Sequence, residues 1–201
     1  MAVNLSPVSR RALLKSLSMG AVAGSVLRVI PIEAAEHVHT MIAAERAGAQ
    51  AGGYAPKFFS PHQYKTLRML CETILPADAD SGGAIEAGAP EFIDLLTSEN
   101  ADFQLRLGGG LLGLDSICLD RYGKVLLDCA PQQQKEILDL IAYRRNAEAD
   151  KGLSHAVDFF ALLRNLTADG FFTSKIGIKY LGYQGNAFLT EFEGCPPVAE
   201  V

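Results

Sequence analysis

FFSPHQYKTLRMLCETILP, Phe58 to Pro76, decides how this chain folds. Ser60 is a residue type that caps helices, Pro61 suits the first helical position, and Gln63 completes an S-x-x-Q capping box. Phe59 and Tyr64 stand at the spacing of a hydrophobic staple. Tyr64, Leu67, Leu70, Cys71 and Ile74 then recur at intervals of three and four, the period of an α-helix with one apolar face. Pro76 cannot continue the helix, so it ends near Ile74.

The same reading extends in both directions. LPADADSGGAIEAGAP is rich in turn formers, and Pro90 opens a second helix through Phe92, Ile93, Leu95 and Leu96. Leu111, Leu114, Ile117, Cys118 and Tyr122 mark a third. Pro131 starts a fourth, with Ile137, Leu138, Leu140 and Ile141 inward and Glu136, Arg144 and Arg145 outward. Ser154 caps a fifth, whose Val157, Phe160, Ala161, Leu163 and Leu166 supply core. The segment GFFTSKIGIKYLGYQGN after Asp169 is aromatic and glycine-rich, and its pattern fits no single element. The expectation is an all-α fold: one helical domain with long loops over 58–201, preceded by a linker or short helix over 36–57.

Near the start, Ser9-Arg10-Arg11-Ala12-Leu13-Leu14-Lys15 has the order of a twin-arginine export signal. Arg10, Arg11 and Lys15 form a positive n-region, and Leu17 to Leu27 an apolar h-region. Arg28 and Pro31 interrupt the run before the roughly 20 apolar residues that a spanning helix needs. Residues 1–35 therefore read as a leader, with a boundary near Ala34-Ala35. The route carries proteins already folded, so the expected destination is the periplasm.

The 201 residues carry 18 Lys and Arg against 23 Asp and Glu, a net charge of −5. Removing the leader makes the balance more acidic, which argues against nucleic acid as a partner. Cys71, Cys118, Cys129 and Cys195 lie too far apart for C-x-x-C metal sites. Cys71 falls on the apolar face of its helix and reads as a buried thiol. Four cysteines allow three pairings that sequence does not choose between, and Cys195, beside Pro196 and Pro197, is the best placed for a bridge. Because folding precedes export, the fold is expected not to need its disulfides.

Three motifs invite chemistry. Gly108 to Gly113, GGGLLG, satisfies the G-x-G-x-x-G of a dinucleotide loop, with Asp128 near the ribose position. The preceding Phe103 to Leu107 alternates apolar and polar residues, unlike a strand buried on both faces, and no strand pattern follows Asp128. Close helix packing or a turn is the favoured reading; a self-contained oxidoreductase binding a dinucleotide at Gly108–Gly113 is the alternative. Asp78, Asp80 and Gly83 open like a calcium loop, but Ala89 stands where the bidentate Glu belongs. His37, His39, His62 and His155 show no local nucleophile–base signature. No catalytic, cofactor-binding or metal-ligating residue is therefore assigned.

The leader, the stretch from Phe58 to Asp94 and the ending GFFTSKIGIKYLGYQGN with EFEGCP together resemble the gluconate 2-dehydrogenase subunit 3 family. Its most specific part, LPxD…GAxEAGxxxFID, is met by Leu75, Pro76, Asp78, Gly83, Ala84, Glu86, Ala87, Gly88, Phe92, Ile93 and Asp94. Ser81-Gly82 departs from the family, which often has proline before the glycine. The resemblance implies a non-catalytic small subunit bearing the export signal for a partner. That partner is a FAD-dependent large subunit of the glucose–methanol–choline class, with electrons passing to a c-type cytochrome carrying haem c. The C-terminal segment looks closer to members associated with glycoside 3-dehydrogenases. Phe171, Phe172, Tyr180, Tyr183 and Phe188 are the candidate partner interface, with core packing as the competing reading. An exported scaffold without an enzyme partner is the remaining alternative.

Overall fold

The structure, a computed structural model, describes residues 32–48 and 54–183. The twin-arginine segment, Phe188 and Cys195 lie outside the described residues. The helices are α1 (Ile32–Gly48), α2 (Pro61–Ile74), α3 (Ala84–Ala87), α4 (Ala89–Ser98), α5 (Ala101–Phe103), α6 (Gly109–Tyr122), α7 (Pro131–Ile141), α8 (Arg144–Ala149), α9 (Ser154–Phe172) and α10 (Lys175–Tyr180). A π turn, Gln104–Gly108, joins α5 to α6 without a break, and there is no strand among the described residues. The fold is all-α.

α9 is the hub. Val157, Phe159, Phe160, Leu163, Leu166 and Phe171 are buried along it, and α2, α3, α4, α6, α7, α8 and α10 all pack against it. Apolar side chains on nearly every side make it a core helix. α2 begins as its capping box requires: the Ser60 hydroxyl accepts the Gln63 N–H at 3.3 Å, and the Gln63 side chain accepts the Ser60 N–H at 3.1 Å. Phe59 and Tyr64 are both buried. α1 packs on α4 and sends Ala35 and Ile42 into the core, so the packed body extends to helices ahead of Phe58.

Four local readings are corrected. Phe103 to Leu107 is not a half-exposed extended element: the Asn100 side chain accepts the Asp102 and Phe103 N–H groups, and the chain enters a helix there. Its inward residues, Phe103, Leu107, Leu111, Leu114 and Cys118, follow a spacing of three and four, so the short alternation was part of a longer helical period. Ser154 is not an N-cap; Asp150 accepts the Gly152 N–H at 2.9 Å, and a 3-10 turn over Lys151–Leu153 carries the chain into α9 earlier. A short helix, α3, precedes the one at Pro90, with Gly88 at φ 83° between them. The unassigned aromatic segment is the end of α9 plus α10, whose cap is Ser174, accepting the Gly177 N–H at 3.1 Å.

Gly110 shows why the third helix is glycine-rich on one side. A Cβ there would sit 2.8 Å from Phe159 Cβ and closer still to its ring, so its absence lets α6 and α9 touch. Gly110→Ala is expected to destabilise the chain by about 1–3 kcal/mol through overpacking. Urea denaturation checks this, and an unchanged midpoint would show that Phe159 is free to move aside.

Candidate functional site

The motif residues that carry the resemblance are spent on holding segments together. Asp94, fully buried, accepts the Tyr54 hydroxyl at 2.7 Å and the N–H groups of Lys57, Phe58 and Phe59 at 2.6, 3.1 and 3.1 Å. One carboxylate thus fixes the segment that leads into α2. Burial, followed by this bond to Asp94, raises the Tyr54 phenol far above its ordinary range, so the hydroxyl stays a donor. Glu91, three residues earlier and also buried, binds Arg46 of α1 at 2.7 Å and Arg68 of α2 at 3.5 Å. Glu86 accepts the Gly83 N–H at 3.1 Å and closes the first turn of α3.

The loop read against a calcium site is closed by its own backbone. Asp78 Oδ1 accepts the N–H groups of Asp80 and Ser81 at 2.9 and 2.7 Å, and these bonds hold its carboxyl below the ordinary range. Among the described residues, no three His, Cys, Asp or Glu side chains converge as a metal ion requires. His62 Nε2 meets Asp115 Oδ2 at 2.6 Å, and Asp115 Oδ1 accepts the Leu126 N–H at 3.0 Å. This clamp joins α2, α6 and the turn beyond α6; its partners are 53 positions apart in sequence, so no local pattern reveals it.

His39 stacks on Phe92 with ring centroids 5.2 Å apart, and its Nε2 lies 2.8 Å from Thr173 Oγ1. Thr173 gives its hydroxyl proton to the Asp169 carbonyl, so His39 Nε2–H is the donor to Thr173. Burial lowers its pKa below the ordinary 6.5. The unfolded chain therefore takes up this proton first on acidification, and the folded state loses stability from pH 6.5 downward to the lower folded value. His39→Gln is expected to flatten that fall, as read from urea midpoints at about pH 7.5 and about pH 5.5; an unchanged slope would assign it to other groups.

Gly108 to Gly113 lies inside the continuous helix formed by the π turn and α6. A dinucleotide loop needs a strand before it and a free helix N-terminus after it. Neither is present here, and the glycines serve packing: Gly108 faces Phe58, and Gly110 faces Phe159.

Gly109 and Gly113, by contrast, face open space, since a Cβ at either would meet nothing within 4 Å. Beside them Leu105, Leu112 and Leu119 recur every seven residues and are 76, 61 and 49% exposed. The outward side of α6 is thus a ridge of leucines flanked by flat glycine surface, while its inward side buries Leu111, Leu114 and Cys118. Ser116 and Asp120 share this outward side, and the leucines among them make an exposed apolar patch of the kind found at protein–protein contacts. The π turn at its start belongs to a class of distortion frequent at functional sites.

The aromatic candidates divide. Phe171 is 2% exposed, enclosed at the end of α9 with Phe172 and Tyr180 against its ring, so it serves packing and is not surface. Phe172, Tyr180 and Tyr183 are exposed, with Leu181 beside them. Ile176, Lys179 and Tyr180 of α10 face Asp80, Ser81, Gly82 and Glu86 across an open groove. The leucine ridge was missed in the sequence because the inward residues of the same helix account for its pattern; the seven-residue recurrence was the available clue.

What these features define is a small helical domain whose buried carboxylates tie its segments together and whose α6 carries exposed leucines. The family described as gluconate 2-dehydrogenase subunit 3 matches residues 61–189, and the chain belongs to it. The description names a subunit of a dehydrogenase complex. No curated protein and no solved structure matches the chain.

Proposed function

We propose that this chain is the non-catalytic small subunit that binds, stabilises and co-exports a FAD-dependent dehydrogenase of the glucose–methanol–choline class. Family membership supports the subunit role. The observation that carries the binding role is the leucine and glycine face of α6, where 61% of Leu112 stands in water beside two glycines with open space above them. Stable complexes bury about 1,200–2,000 Å² in total, more than this ridge provides, so the exposed aromatics of α9 and α10 are assigned to the same partner. FAD belongs to the large subunit, and a c-type cytochrome takes the electrons. Sugars, sugar acids or glycosides, the last oxidised at C3, are the substrate class. Residues 1–35 direct the folded pair to the periplasm, which places the export machinery among the partners.

The test is co-expression of the full chain with a candidate FAD-dependent dehydrogenase of this class. Size-exclusion chromatography should show the two chains eluting together for the native sequence. Leu112→Asp should weaken the complex by about 30-fold or more, as for a hot-spot residue, while leaving the helical content of the free chain intact. Unchanged co-elution of Leu112→Asp would remove the ridge from the interface.

A further inference from the structure

The outward side of α6 and the π turn before it is built as a seam. Leu105, Gly109, Leu112, Ser116 and Leu119 are all exposed, and they follow one another at intervals of four, three, four and three. This is the spacing by which one helix lies along another, and here large residues alternate with small ones. Arg106 and Asp120 stand exposed beside the first and last of the leucines, each one position further along the chain, and Gly113 holds the equivalent place beside Leu112. Arg106 meets Asp102 at 3.7 Å, a surface pair that costs little to rearrange. One flank of the seam therefore runs from a guanidinium through a bare centre to a carboxylate.

Such a stripe fits itself when turned end for end. Laid antiparallel on a copy of itself, with Leu112 over Ser116 of the other copy, the helix sets Leu119 over the other copy's Gly109, and two-fold symmetry repeats both contacts. Gly113 of each copy then lies beside the axis, where a missing side chain lets the two backbones approach, and a Cβ there meets nothing within 4 Å among the described residues. At a rise of about 1.5 Å per residue, the same register leaves Arg106 only about 3 Å along the axis from Asp120 of the other copy, at both ends. We propose that a second copy of this chain covers the leucine face of α6 in an antiparallel two-fold dimer, closed at each end by Arg106 and Asp120 of opposite copies. The charges select the orientation, since a parallel pair sets Arg106 against Arg106 and Asp120 against Asp120. The seam is smaller than a standard interface of roughly 20–30 residues a side, so the dimer is weak and exchangeable, and the dehydrogenase proposed above displaces the second copy from this face.

Sedimentation equilibrium of the full chain alone, over about 1–200 µM, tests this without the dehydrogenase, so a negative result leaves the dehydrogenase complex untouched. A monomer–dimer equilibrium is expected for the native chain. Arg106→Asp and Asp120→Arg, made separately, each bring like charges together at both ends of the dimer and should raise its dissociation constant at least about tenfold. Both positions are exposed, so circular dichroism should show the native helical content, and if one variant loses it the other carries the comparison. The double variant Arg106→Asp with Asp120→Arg restores opposite charges with their places exchanged, and should return the constant to within about threefold of native. A native chain that stays monomeric throughout the range overturns the proposal. So does a dimer indifferent to the single substitutions, or one that the double variant fails to restore, because either result puts the contact on another face.

Discussion

Replacing Gly109 and Gly113 together by alanine stabilises the isolated chain by about 1–2 kcal/mol and weakens its complex with the dehydrogenase by about tenfold. The two effects have opposite signs for a physical reason. Glycine inside a helix costs about 1 kcal/mol relative to alanine because the unfolded chain loses more freedom, and here a methyl group at either position meets nothing within 4 Å. Nothing in the packing of the described residues therefore explains these two glycines, unlike Gly110, which Phe159 demands. A partner approaching the helix backbone closely does explain them, and added methyls would hold it away. Urea denaturation of the free chain and titration of the complex give the two numbers. Stabilisation with undiminished binding would mean that no close approach occurs on this face.

Asp94→Ala is expected to cost about 3–5 kcal/mol, the largest loss of any single substitution considered. It strands the Tyr54 hydroxyl and three backbone N–H groups, all aimed at one buried carboxylate. Each hydrogen bond to a charged acceptor is worth about 1.5–3 kcal/mol, and a buried donor left unpaired costs about 1–3 kcal/mol more. Against a total stability of about 5–15 kcal/mol the variant sits near the edge of folding. Asp94→Asn should lose less, because its carbonyl oxygen still accepts while its amide hydrogens oppose the donors. Chemical denaturation measures both, and a cost below about 1 kcal/mol for the alanine would show that the 54–59 segment is held by its apolar contacts instead.

The helices were legible where local chemistry is complete. Ser60, Pro61 and Gln63 start α2, and Pro131 starts α7, because capping acts within one turn and leaves its pattern in adjacent residues. Ser154 failed as a cap because Asp150 had already started a helical turn four residues earlier, a competition that propensity does not rank. Asp94 was visible in the family motif, but its work was not: it and Glu91, which the motif leaves open, act on residues 23 to 45 positions away, a relation fixed only by the packing of α1 and α2 on α4. The aromatic interface was read from composition, which does not separate Phe171 inside from Phe172 outside although they adjoin in the chain. The leucine ridge was legible in principle, since Leu105, Leu112 and Leu119 keep a seven-residue spacing that no inward face of α6 requires.

The most direct measurement is to co-express the full chain with a candidate FAD-dependent dehydrogenase of this class, then record the mass and flavin absorbance of what co-purifies. A complex of both chains with flavin bound, and dye-reducing activity that declines when the small chain is omitted, is the predicted result. A flavoprotein equally stable and active alone, beside a small chain that elutes as a separate monomer, would contradict the account.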